Sequence, residues 1–147
     1  MTSRIARLAV LLCSTAAASG CGQSDIAVHE SHWNSLSPSS YTYRFQWSCF
    51  CAGDFVAPVD ITVTTGAITA VKNHDTGAAQ PPARFTDYRT IPGLFAFLHE
   101  AERRNAARIT VTWDEALSYP RTAFIDYVQN AADDEMSFTA SDLTALP

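Results

Sequence analysis

The sequence predicts an α+β fold: two αβββ units forming a mainly antiparallel sheet, with two helices packed on one face. Three observations carry this expectation. Apolar residues alternate with polar ones over residues 41–51, 59–63, 109–113 and 136–140, the period of a strand with one buried face. Two other stretches carry apolar residues at helical spacing, one ahead of each group of strands. Turn signals separate the strands: Thr65-Gly66, Tyr119-Pro120 and Asp133-Asp134-Glu135.

In chain order, the N-terminus comes first. Arg4 and Arg7 precede an apolar run over residues 8–18, and Ser19-Gly20-Cys21 follows. A basic start, an apolar run and a small-residue cleavage site make a bacterial secretory signal. The run falls short of the roughly 20 apolar residues that a transmembrane helix needs. Ala18-Ser19-Gly20-Cys21 resembles a lipobox, with Ala18 where Leu is commonest. The resemblance implies cleavage before Cys21, acylation of its thiol and new amino group, and a membrane anchor of several acyl chains. Gly22, with no Asp at that position, matches the outer-membrane sorting pattern of a Gram-negative cell. The alternative is an ordinary signal peptide that leaves Cys21 as a free thiol. The expected divisions are residues 1–20 as signal, 21–24 as lipidated cysteine and tether, and 25–147 as a single α+β domain.

Ser24 or Asp25 caps a first helix, with Ile26, His29, Trp33 and Leu36 along one face. Ser37-Pro38-Ser39-Ser40 stops it. Tyr41, Tyr43, Phe45, Trp47, Cys49 and Cys51 then occupy odd positions of a first strand, ended by Gly53-Asp54. Val59, Ile61 and Val63 form a second. The two-residue turn Thr65-Gly66 sets Val63 opposite Ile68 and Ile61 opposite Ala70. Residues 73–89 read as a long polar loop with Gly77, Pro81 and Pro82. Thr90 caps a second helix with Pro92 in its first turn. Its stripe is Ile91, Leu94, Phe95, Leu98 and Ala101, and Arg103 and Arg104 suit its C-terminal dipole. Ile109, Val111 and Trp113 start the last strand group. Residues 123–128 follow, then Met136, Phe138 and Ala140.

Tandem αβββ units of this order resemble the PepSY modules and the beta-lactamase inhibitor proteins, a likeness of element order that licenses no function. A closer resemblance rests on Trp33, Ser40-Tyr41-Thr42-Tyr43, Cys49-Phe50-Cys51, residues 59–63 before Gly66, Thr90-Ile91, Leu94-Phe95, Tyr119-Pro120, Ile125-Asp126 and Asp133-Asp134-Glu135. In that order they resemble a family of uncharacterised bacterial lipoproteins and secreted proteins. The resemblance covers about residues 30–143 and implies an exported, often lipid-anchored domain with no assigned activity. Ser118 departs from it, standing where the family usually has Gly before Tyr-Pro.

Composition narrows the function. Hydrophobic residues make up 47% of the 147 and charged residues 17%, which excludes a disordered chain. Ten Lys plus Arg stand against fifteen Asp plus Glu, so no basic face is available for nucleic acid. Loss of Arg4 and Arg7 with the signal leaves eight basic minus fifteen acidic side chains, a charge of −7. That charge repels the domain from anionic headgroups.

Cys49 and Cys51 are the pair most able to carry chemistry. On one strand face, in an oxidising envelope, a local disulfide is expected, with a bend near Gly53 closing the distance. A redox-active Cys-x-Cys is the functional alternative, against which no Lys, Arg or His lies within four residues to lower a thiol pKa. A metal site lacks two further ligands at suitable spacing. His29 and His32 share a helix face, and His74 and His99 stand apart. Asp133, Asp134 and Glu135 offer oxygen ligands to Ca²⁺ without the spacing of an EF-hand, so a solvated turn is expected. Asp126, alternating with Phe124 and Val128, places a carboxylate among apolar residues, where a hydrogen bond to Tyr or Arg is the plain account. Trp33, Trp47 and Trp113 read as core. No catalytic residue, metal or cofactor is assigned. The expected role is a lipid-anchored envelope module that binds a protein or peptide partner without catalysis. Its rivals are a thiol–disulfide protein using Cys49 and Cys51, and a small-ligand carrier with a cavity under residues 73–89.

Overall fold

The computed structural model describes residues 25–131 and 133–147. The expectations for residues 1–24, Cys21 included, lie outside the described residues. The elements run α1 (Asp25–Leu36), β1 (Tyr41–Ser48), β2 (Val59–Thr64), β3 (Ala67–Asn73), a short 3-10 helix (Pro82–Asp87), α2 (Ile91–Arg103), β4 (Arg108–Trp113), β5 (Pro120–Asp126) and β6 (Met136–Ala145). The strands form one sheet in the order β3-β2-β1-β6-β5-β4, and every neighbouring pair is antiparallel. The fold is therefore mixed α+β.

Alternation explains the centre of this sheet. Tyr41, Tyr43, Phe45 and Trp47 of β1 are all buried, while the residues between them are not. They join Val59, Ile61 and Val63 of β2, Ala123 and Ile125 of β5, Phe138 and Ala140 of β6, and the buried residues of both helices in one core. The aromatic rings meet mainly edge to face: Phe45 on Trp47 at 4.9 Å, Phe97 on Trp47 at 5.4 Å and Trp33 on Tyr41 at 5.8 Å. In α2 the apolar stripe is as expected, with Ile91, Leu94, Phe95, Leu98 and Ala101 all buried. The Gly93 N–H donates to the Thr90 hydroxyl at 3.2 Å, which caps the helix.

Several expectations need correction. Ile61 pairs with Val71, not Ala70, because an irregularity beside Val63 leaves one extra residue in β3. That bulge turns Val71 into the core. Val63 does face Ile68. In α1, Ile26 and Trp33 are buried but Leu36 is 49% exposed, so the apolar face is shorter than the spacing implied. Residues 73–89 are not all loop: Lys72 bridges to Ala79, a 3-10 helix follows, and Tyr88 is buried. The fifth strand is Pro120–Asp126 and ends two residues short of Val128. The sixth runs on to Ala145 through a bulge opposite Tyr43, where Asp142 takes a φ of 56°.

The largest correction concerns the cysteines. β1 ends at Ser48, before Cys49 and Cys51, and neither belongs to the aromatic core face. Cys49 is half-buried and Cys51 exposed.

Candidate functional site

Register places the loops. Trp47 pairs with Phe138 and Ser48 with Ser137, while Ile125 pairs with Met136 and Phe45 with Val59. The β1–β2 loop and the β5–β6 loop therefore leave the sheet at the same end, on either side of the start of β6. Each loop presents a large apolar side chain to water. Phe50 is 89% exposed and Val128 58% exposed.

Covalent and polar contacts hold these loops. The sulfurs of Cys49 and Cys51 lie at disulfide-bonding distance, with Cα atoms 5.2 Å apart. The Cys51 N–H donates to the Cys49 carbonyl at 2.8 Å, a three-residue turn that leaves Phe50 at its tip. Phe55 packs parallel to Trp47 with centroids 6.3 Å apart. The Trp47 indole N–H donates to the Asp87 carbonyl at 3.0 Å. Arg84, on the 3-10 helix, reaches Asp54 at 2.9 Å and Asp87 at 3.0 Å, tying that helix to the loop. Beside them the buried Tyr88 hydroxyl has no hydrogen-bond partner among the described residues, and burial raises its pKa.

The acidic turn lies at this end too. The Asp134 carboxylate accepts the Val128 N–H at 2.6 Å and so closes the β5–β6 loop, while Asp133 and Glu135 are exposed. Asp126 shares the outer sheet face with Phe124, opposite to buried Ala123 and Ile125. Arg108, paired with Asp126 across the strands, stacks over the Phe124 ring at 5.6 Å. One oxygen of Asp126 is buried without a hydrogen-bond partner among the described residues, so the expected tyrosine or arginine partner is not found there.

The histidines go separate ways. His29 stacks on Trp113 at 4.1 Å with Asp25 3.6 Å away, and His32 meets the Ser118 hydroxyl at 2.6 Å. His74 meets Asp60 at 2.9 Å on the outer face, where Arg44 lies 3.7 Å from Asp60 and 3.0 Å from Asp142. His99 bridges the helices, with Glu30 at 2.8 Å and Glu102 at 2.9 Å. Burial lowers the His99 pKa, but the two carboxylate hydrogen bonds outweigh it and leave it raised. The i,i+3 pair with Glu102 was readable from the sequence; Glu30 and Asp60 become partners only through tertiary packing. Among the described residues no three His, Cys, Asp or Glu side chains converge as a metal shell, and no pocket opens.

Ser118 resolves its own departure. Its φ is 61°, the left-handed geometry a glycine takes freely, and it is buried against His32.

The whole domain, from the start of α1 to the end of β6, matches a family model described as "Family of unknown function (DUF6174)", over residues 25–145. The chain belongs to this family. No curated protein and no solved structure matches it. DUF6174 is thus carried here by a six-stranded antiparallel sheet with two α-helices and a disulfide-spaced cysteine pair at one end.

Proposed function

We propose that this protein is an exported, lipid-anchored envelope module that binds a protein or peptide partner at the loop end carrying Phe50. Phe50 carries the proposal. A phenyl ring held in water on a tight, cross-linked turn is a preorganised anchor, and such aromatics dominate binding energy when a partner buries them. Val128 on the neighbouring loop extends the apolar contact.

The fold supports the orientation. Two αβββ units, with both helices on one face of the sheet, account for the element order and for a single core shared by α1, α2 and β1. Asp25 receives a hydrogen bond from the Trp113 indole at 3.1 Å, which puts the start of α1 at the sheet end opposite Phe50. An anchor on Cys21, tethered by residues 22–24, then holds that opposite end toward the bilayer. Phe50 faces away, roughly one strand length of about 27 Å farther out. The acidic charge of the mature chain keeps the domain off anionic headgroups.

Photocrosslinking in intact cells tests this. A photoreactive residue at position 50 is expected to give discrete adducts, and one at Thr65, in the turn at the opposite end, is not. Adducts at both positions alike, or at neither, would overturn the assignment.

A further inference from the structure

We propose that Cys49 and Cys51 form a thiol–disulfide exchange site that takes thiols of exported polypeptides as its substrate. This goes beyond partner binding, and it rests on the proposed export and on the same exposed Phe50. Three observations at one place carry it. The pair lies past the end of β1 and outside the buried core cluster. Cys51 is exposed while Cys49 is half-buried, so Cys51 is the more accessible of the two to an incoming thiol and Cys49 is taken as the leaving group. Phe50, between them, offers an apolar handle beside the reactive sulfur.

The geometry sets the chemistry. A substrate thiolate attacks the Cys51 sulfur, the bond to Cys49 breaks, and Cys49 leaves as a thiolate that takes up a proton. A second substrate thiolate then attacks the substrate sulfur of the mixed disulfide and releases Cys51 as a thiolate, which is protonated in turn. Two substrate thiols become one disulfide, and the protein disulfide becomes two thiols, with two electrons transferred. Arg84, the cation bonded into this loop, is held by Asp54 and Asp87, so it is not free to stabilise a thiolate. Exchange is therefore expected to quicken toward alkaline pH, as more of the substrate thiol ionises to the attacking thiolate. Reduction leaves the sheet intact, since β1 keeps its pairing with β2 and β6 without the cysteines.

The test uses the purified, oxidised protein. Reduction by dithiothreitol in buffer is expected to run within about tenfold of its rate in urea, with an unchanged far-ultraviolet spectrum. A reduced peptide dithiol with flanking apolar residues is expected to leave as the disulfide, one for each protein disulfide lost. Phe50→Ser should slow that reaction and spare reduction by glutathione. With glutathione disulfide, Cys49→Ser, which keeps Cys51, should form its mixed disulfide faster than Cys51→Ser. Native-state protection beyond about a thousandfold, or an oxidised protein that leaves the peptide reduced, would overturn the proposal.

Discussion

Thr65 and Gly66 join β2 to β3 with φ values of 48° and 81°, the two positive angles of the tightest hairpin turn. Glycine suits that geometry, whereas a β-branched threonine is forced into it. Thr65→Asn keeps the backbone N–H bond to the Ser40 hydroxyl and is expected to stabilise the fold by about 0.5–1 kcal/mol, read as a higher urea midpoint. Ser118 poses the same problem with a compensation, because its hydroxyl meets His32. Ser118→Ala loses that bond and keeps the strain, while Ser118→Gly loses the bond and relieves it. The alanine variant should therefore be the less stable by about 1 kcal/mol in the same measurement. Turn chemistry of this kind was legible in the sequence, since Thr-Gly marks a hairpin and Ser118 stands where glycine is usual. The cysteine face was not. Alternation from Tyr41 to Trp47 invites extension to Cys51, but a bond between neighbours two apart folds the chain into a turn and ends the strand. Replacing both cysteines should then cost only the small loop-closure contribution, at most about 1.5 kcal/mol, and nothing from the core.

Among the elements, β1 and α2 were legible because each has one buried face and a clear period, and the pairing of β2 with β3 was legible only as far as its bulge. Phe45, buried in β1 between Trp47, Tyr43 and Phe138, tests the first of these. Phe45→Ala is expected to cost about 3–5 kcal/mol, which chemical denaturation would show. The tie between α1 and α2 is polar and was hidden, since Glu30 and His99 lie 69 residues apart. Its pH dependence has a definite sign. The folded pKa of His99 is raised, so the stabilisation is complete below the unfolded value of about 6.5 and is lost as pH rises through the folded value. The melting temperature of the natural protein should therefore fall relative to His99→Gln as pH rises above about 6.5. A parallel pair of curves would show that the bridge contributes nothing.

For the whole molecule, strand order decides what the sequence could not. Periodicity gives the strands but not their neighbours. Only the pairing of β1 with β6, across most of the chain, brings the Phe50 and Val128 loops to one end. The same order, with the Trp113 bond to Asp25, puts the start of α1 at the other end. The chain from Cys21 to Asp25 spans at most about 14 Å when extended, so an acylated Cys21 would keep that end close to the headgroups. Two exposed positions report on this polarity: Ala116, in the turn after Trp113, and Glu135, in the loop after β5. Fluorophores attached through Ala116→Cys and Glu135→Cys are placed on the lipidated protein in phosphatidylcholine vesicles carrying a headgroup quencher. The label at position 116 is expected to be quenched and the one at 135 spared, and the difference should vanish in Cys21→Ala, which on the proposed anchoring should no longer join the vesicle. Equal quenching of the two in the lipidated protein would mean that the domain lies flat or rotates freely on its tether, and the loop end would lose its claim to face outward.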